Sequence, residues 1–337
     1  MATAELAGAR TPPAIVHPPR SGTRSWPLID RIAHVLCWAT GIGLCVIAAA
    51  IVLYMFIEGV SALQLSLFVE SPLPTQNQAQ AGGFLDPLIG TLIVTLIGTL
   101  IAAPGGIALA AWMSEYGRPA GLARAVELGI EMIAGVPSIV LAIFGLLLFS
   151  QGYLGFLSSQ ASDGAVTGQS FLVAGAIMAV LALPLVFGAT REALAQLPAR
   201  LREASFALGK TRATTIRRVL LPSIRPGIAT GVVLGMGRII GDTAIIVILL
   251  GTTLKNEPNG GTPLLGTLRG TGSTLTSYVY SNSPAGEGNA PQKAYAAAFV
   301  LLMIVLALNA LVTRLTRGGG PVPGRLRRLA GRTPWTR

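Results

Sequence analysis

The chain has 337 residues, of which 52% are hydrophobic and 12% charged, against roughly 25% charged in an average soluble domain. Such a composition suits lipid as solvent, and the net charge of +11 does not signal nucleic acid, because the basic residues sit in blocks between long apolar runs. His17 and His34 are the only histidines and neither has a second ligand at metal spacing, which excludes a histidine-based metal site; no metal is expected on this chain.

Residues 1–31 combine Pro, Gly and Arg without periodicity and read as a flexible tail. The first apolar run, Ile32 to Ile57, shows no small-residue cleavage site and is expected to remain as an anchor. It contains both cysteines, Cys37 and Cys45, about 12 Å apart on a helix and so unable to bridge. Five further runs approach the roughly twenty residues needed to cross a bilayer: Leu88 to Met113, Leu128 to Phe149, Phe171 to Thr190, Gly227 to Leu250 and Tyr295 to Val312. The fold class expected is therefore all-α, a polytopic membrane protein with six transmembrane helices. Pro104-Gly105-Gly106, Gly135-Val136-Pro137-Ser138 and Pro184 interrupt these runs, either as packing kinks or as openings onto a wet pathway. Residues 251–293 are rich in Gly, Ser, Thr, Asn and Pro and predict a long irregular loop with one short helix near Pro263 to Arg269. Residues 318–337 predict a second flexible, basic tail.

Lysine and arginine mark the side on which each loop lies, because loops retained in the cytoplasm keep positive charge. Arg10, Arg20, Arg24 and Arg31 precede the first run, and Arg118 and Arg124 lie between the second and third. The segment between the fourth and fifth holds Arg191, Arg200, Arg202, Lys210, Arg212, Arg217, Arg218 and Arg225, and the tail from Arg314 onward is again basic. The alternate loops hold only Lys255, Arg269 and Lys293. Both termini are thus expected in the cytoplasm of a multi-pass plasma-membrane protein, with the basic segments attracted to anionic lipid.

The basic segment from Leu197 to Pro222 fits two short helices. Pro198 suits a first helical position, Gly209 the residue past a C-terminus, Thr211 a cap for the next helix, and Pro222 its stop. Leu197, Leu201, Ala204 and Leu208 then share one stripe, a narrow apolar face suited to a partner's groove. Ala204 to Thr211 also satisfies a permissive phosphate-loop pattern, but a charged helical stretch precedes it where a buried strand is required, and no apolar run ends in a magnesium-binding Asp. ATP hydrolysis is therefore expected of another subunit.

Inside the fifth run lies Arg238-Ile239-Ile240-Gly241-Asp242-Thr243-Ala244. Arg238 is about 18 Å along a helix that starts at Pro226, near the middle of the hydrocarbon. A charge there costs roughly 2.5 to 3.5 kcal/mol on insertion scales unless paired, and Asp242 is four residues on, on the same face. The pair is either a packing lock or part of a pathway. An intramembrane enzyme would need an Asp pair, a Ser-His arrangement or a metal motif within the spans, none of which is present, so no catalytic residue is expected.

Glu203-Ala204-Ser205, three residues, Gly209, nine residues and Val219-Leu220-Leu221-Pro222 resemble the EAA loop of ABC importer permeases, with Ser205 replacing the usual second alanine and Val219 the usual isoleucine. The Arg238 to Thr243 stretch is similar to the Arg-x-x-Gly-Glu-Thr segment of phosphate permeases, with Asp242 in place of Glu. Gly83-Phe84-Leu85, Ser114-Glu115-Tyr116-Gly117-Arg118 and Gly135 to Val140 extend the likeness, and on these residues the chain resembles the PstA-type permease subunit of the phosphate ABC transporter. The resemblance implies a type I ABC importer permease fold over 88–317, with a coupling loop at 192–226 whose Glu203, Ala204, Ser205, Gly209, Leu221 and Pro222 engage a PstB-type ATPase dimer. ATP and magnesium would be bound by that dimer and no cofactor by this chain. Arg238, Asp242 and Thr243 would lie on a phosphate path shared with a homologous PstC-type permease and fed by a PstS-type binding protein, in the plasma membrane of a prokaryote. The coupling loop is common to many importers, so a permease for another oxyanion or small solute is the alternative.

Overall fold

The computed structural model describes residues 27–73, 82–117, 119–151, 153–159, 166–251, 253–259, 263–284, 286, 288 and 290–317. The C-terminal tail, nearly all of the N-terminal one, Arg118 and parts of the 251–293 loop lie outside the described residues. Regular structure among the described residues is helical, apart from an isolated antiparallel bridge between Glu257 and Thr271.

The chain forms two units, Met1–Tyr54 and Met55–Arg337. Helix α1 (Leu28–Ala62) is continuous over 35 residues and starts ahead of the apolar run that predicts it. In the first unit its Leu36, Trp38, Leu44 and Ile47 are exposed, as are the free Cys37 and Cys45.

In the second unit, α2 (Leu85–Glu115) and α5 (Phe171–Ala195) form the most extensive helix pair. Their seam is built from small residues, which let backbones approach where no hydrophobic force separates helix from lipid. Gly90, Thr91, Thr95, Gly98, Ala102 and Gly106 are buried along α2, and on α5 Gly175 lies against Ile97. Pro104 and Pro184 sit inside these two helices without ending them, so the interruptions expected there are absorbed within continuous helices. α9 (Arg225–Gly241) packs on both helices of this pair, and α13 (Pro291–Arg317) packs on α9.

Two of the runs read as single spans are broken. The third splits into α3 (Ala120–Gly135) and α4 (Ser138–Phe149), bent by 106° at Gly135-Val136-Pro137. There Val136 takes φ −74°, ψ 130°, the extended backbone that a following proline imposes. The fifth ends at Gly241, turns at Asp242 and Thr243, and resumes as α10 (Ala244–Leu250), which packs on α4 and α5. Among the described residues four helices, α1, α2, α5 and α13, are each long and apolar enough to cross a membrane, and counting as one span each of two bent pairs, Ala120–Gly135 with Ser138–Phe149 and Arg212–Ser223 with Arg225–Gly241, gives up to six.

Between α5 and α9 runs the basic hairpin: α6 (Ala199–Ala207), α7 (Arg212–Thr215), a single π-turn Ile216–Leu220 and α8 (Leu221–Ser223). The loop after α10 carries α11 (Pro263–Arg269), at the residues where a short helix is expected, and α12 (Leu275–Asn282).

The α2 seam leaves little slack. A Cβ on Gly90 would run into the backbone carbonyl of Ser273, whereas one on Gly121, on exposed α3, meets nothing. Gly90→Ala should destabilise by about 1–3 kcal/mol, and Gly121→Ala should be neutral or stabilising by about 0.5–1 kcal/mol. Thermal melts of the purified protein in one detergent check both.

Candidate functional site

The residues singled out from the sequence fall in two places. The hairpin precedes α9 and Arg238 lies near its end, so about 20 Å of helix separates the two groups.

At the helix break, Asp242 has φ −86° and ψ 117°, an extended conformation, while Thr243 is already helical at φ −90°, ψ −35°. Asp242 Oδ1 accepts a hydrogen bond from the backbone N–H of Ile245 at 3.0 Å, the capping bond of a residue that opens a helix. Its Oδ2 faces Arg238 Nη2 at 3.5 Å. The carboxylate is thus shared between a backbone cap and a single arginine contact. The pair is unequal in environment, since the Asp242 side chain is 4% exposed and that of Arg238 47%. The guanidinium is anchored on one side and open on the other, along a stripe of α9 where Thr230, Leu234 and Gly241 are also exposed. The opposite face of α9, with Gly231, Gly235 and Ile239, is buried. A glycine face fits there because Gly231 lies against Ala189 and Val186 of α5.

The backbone groups freed by the break are met from the loop side. Thr276 of α12 donates its hydroxyl to the Ile240 carbonyl at 2.7 Å, closing the end of α9. At the far end of α10, Gln169 Nε2 and the N–H groups of Ser170 and Gly272 donate to the carbonyls of Ile248, Leu249 and Leu250. Helix α12 is itself fixed by a Thr274–Ser277 capping box and by Leu275 N–H donating to Thr91 Oγ1 at 2.8 Å. Tyr278 on α12 packs edge-on to Phe84, and burial pushes its hydroxyl up to about 12, keeping it neutral.

In the hairpin, Pro198 stands at the start of α6, and Gly209 takes φ +72°, the left-handed conformation that ends a helix and favours glycine. Thr211 caps α7 by accepting from Thr214 N–H. Pro222 does not stop the second helix: the chain stays helical to Ser223, and a 74° bend falls at Ile224 before α9. Glu203, Ala204 and Gly209 are exposed, and Leu201, Phe206 and Leu208 share that exposure. Of the expected stripe only Leu197 is partly covered, since it packs with Phe187, Leu194, Leu220 and Ile224. Leu221 and Pro222 are half-buried. Ser205 turns inward, buried, with its hydroxyl 2.8 Å from that of buried Thr215, so the two helices are bonded across the turn.

Three residues outside the expected set belong to this region. Glu115, the last residue of α2, pairs with Arg202 of α6 at 2.8 Å with only 8% of its side chain exposed. Arg212 of α7 donates to the Glu115 carbonyl at 3.3 Å and lies 5.9 Å from the Tyr116 ring. Nearby, Glu127 of α3 pairs with Arg191 of α5.

The family described as binding-protein-dependent transport system inner membrane component matches residues 102–318. The probable ABC transporter permease protein YqgH of Bacillus subtilis is 36% identical over 225 residues, 64% of this chain and 70% of the relative. The phosphate transport system permease protein PstA 1 of Mycobacterium tuberculosis is 32% identical over 229 residues, 68% of each chain. PstC of Xylella fastidiosa, named likewise as a phosphate transport system permease protein, is 28% identical over 246 residues, 69% and 71%. Among solved structures, a chain of a bacterial alginate ABC transporter superposes with a TM-score of 0.59 at 16% identity, covering 86% of this chain and 95% of that one. A chain of the MetNI methionine ABC transporter gives 0.51 at 20% identity, covering 71% and 95%. These two likenesses establish the fold, that of an ABC importer permease. Its apolar helices, its fold and its matched residues make this chain a multi-pass member of the binding-protein-dependent transport system inner membrane component family, whose relatives include phosphate permeases of the PstA and PstC types.

Proposed function

We propose that this chain is the PstA-type permease subunit of an ATP-driven inorganic phosphate importer, with both termini and the basic hairpin in the cytoplasm. The observation that carries the reading is the unequal ion pair: a half-exposed arginine fixed from behind by a buried carboxylate on a stripe of α9 that is otherwise uncharged from Thr230 to Gly241. Lipid is a poor neighbour for such a guanidinium. A second, homologous permease of the PstC type facing this stripe would enclose Arg238 beside a wet path, and the permanently charged fork of arginine suits a phosphate oxyanion.

Asp242 then has two tasks. It holds the arginine in place and offsets part of its charge, so that an arriving anion is bound weakly enough to leave. It also caps α10, which fixes the break beside which Thr243 sits. At the other end of α9, the exposed face around Glu203, Ala204 and Gly209 would enter the cleft of a PstB-type ATPase dimer, which carries the ATP and magnesium. The inward bond of Ser205 and the half-buried Leu221 and Pro222 would keep the hairpin stiff under that load. A PstS-type binding protein would deliver phosphate to the 251–293 side.

In cells expressing the whole transporter, Arg238→Gln should lower uptake of radiolabelled phosphate roughly tenfold or more with assembly of the complex unchanged, a loss of at least about 1.4 kcal/mol in pathway stabilisation. Normal uptake by an assembled complex would remove Arg238 from the path. Asp242→Asn should keep the cap and the fold, while Asp242→Ala should lower stability by about 1 kcal/mol through loss of the cap; melting curves of the purified variants compare the two. Glu203→Ala should reduce the amount of ATPase that co-purifies, and unchanged co-purification together with unchanged uptake would refute the docking assignment.

A further inference from the structure

We propose that Glu115 and Arg202 form a strut that transmits thrust from the hairpin into the transmembrane helices, a positioning role outside the EAA motif. The inference rests on the reading of the hairpin as the ATPase contact and adds the route by which force leaves it.

Helices α2 and α5 both end beside the hairpin, each leaving carbonyls that no intrahelical N–H can satisfy and a partial negative charge. Each end is met by an arginine from a different hairpin helix. Arg202 of α6 pairs through Nε with Glu115 on α2, its Nη2 reaches the carbonyl of Leu194 in the last turn of α5 at 3.3 Å, and its Nη1 that of Leu197, two residues past that helix, at 3.4 Å. Arg212 of α7 donates to the carbonyl of Glu115 and covers Tyr116. One guanidinium therefore bridges α2 and α5, and a second seals α2, while the Ser205–Thr215 bond joins the two hairpin helices to each other.

The hairpin also has an apolar seat, where Leu220, Ile224 and Ile216 pack with Ala110, Met113, Phe187 and Leu194. Apolar contact is non-directional and lets packed helices slide. The strut is directional, and its carboxylate is almost wholly withdrawn from water, where screening is weak. Because α2 and α5 both pack on α9, a displacement passed to their ends reaches the helix that carries Arg238. Neither Glu115, the last residue of α2, nor Arg202 of α6 belongs to the motif at Glu203 to Pro222.

The test uses the complete transporter in nanodiscs, with Cys37→Ser and Cys45→Ser and spin labels at Leu208→Cys on the exposed end of the hairpin and Leu100→Cys on the exposed face of α2. With the strut intact, hairpin and α2 should travel together, and the distance between the labels should stay within about 2 Å when ATP is added. In Glu115→Gln/Arg202→Met, which removes both charges and so leaves neither buried alone, ATP should shift or broaden that distance, and phosphate uptake per ATP hydrolysed should fall roughly tenfold. A purely structural pair predicts otherwise: the neutral double variant would recover coupling while single Glu115→Gln stays impaired. That recovery, or a double variant whose label distance ignores ATP, overturns the strut. Failure of the unmodified chain to retain its ATPase refutes the hairpin reading and the strut with it. Failure of the intact complex to take up phosphate refutes only the choice of substrate, because the label distance does not depend on it.

Discussion

A helix that breaks inside an apolar layer frees N–H and C=O groups that lipid cannot satisfy, and each must find a partner within the protein. The turn at Asp242 and Thr243 and the far end of α10 both meet that demand. The Asp242 carboxylate accepts from the Ile245 N–H in the first turn of α10, Thr276 donates to the last-turn Ile240 carbonyl of α9, and Gln169, Ser170 and Gly272 donate to the last carbonyls of α10. The elements that supply these donors, the start of α5 and the folded part of the 251–293 loop, are thereby tied to the break. Gly251, at φ +87°, lets the chain leave α10 sharply enough for that loop to return over it.

The same accounting sets the electrostatics. One carboxylate oxygen accepts the backbone cap while the other faces the arginine, and the Arg238 contact is single and 3.5 Å long. A bidentate pair would close the guanidinium on both N–H edges; this one leaves donors facing outward. Since about half of the Arg238 side chain is exposed, the contact itself adds little to stability. The guanidinium stays held on one side and exposed on the other.

Long apolar runs are read easily from sequence, because a hydropathy signal sums over twenty residues, and local caps are equally plain: Gly209, Thr211 and the limits Pro263 to Arg269 follow from single residue types. The breaks are not. Pro104 and Pro184 look like interruptions yet sit in continuous helices, where the small residues of the α2–α5 seam let a neighbouring backbone come close. Asp242 looks like the partner of an arginine within one helix, and only the break after Gly241 turns it into the cap of a second one. Glu115 and Arg202 are 87 residues apart, and nothing local to either announces the other. Sequence alone shows which segments are helices; which end of one helix is fastened to another depends on contacts that no local pattern encodes.

The departure from the phosphate-permease pattern at position 242 acquires a physical reason here. Short side chains such as Asp, Asn, Ser and Thr cap helices because their oxygens reach the N–H three residues on without bending the backbone, and Glu is not among the favoured caps. With Asp at 242, the carboxylate is drawn toward Ile245 N–H and away from Arg238, which accounts for a close cap and a looser ion pair. One added methylene would favour the opposite balance, a tighter grip on the arginine and a weaker cap. The identity of this acid therefore trades stiffness of the break against freedom of the guanidinium, and in this chain the stiffer break and the freer arginine occur together.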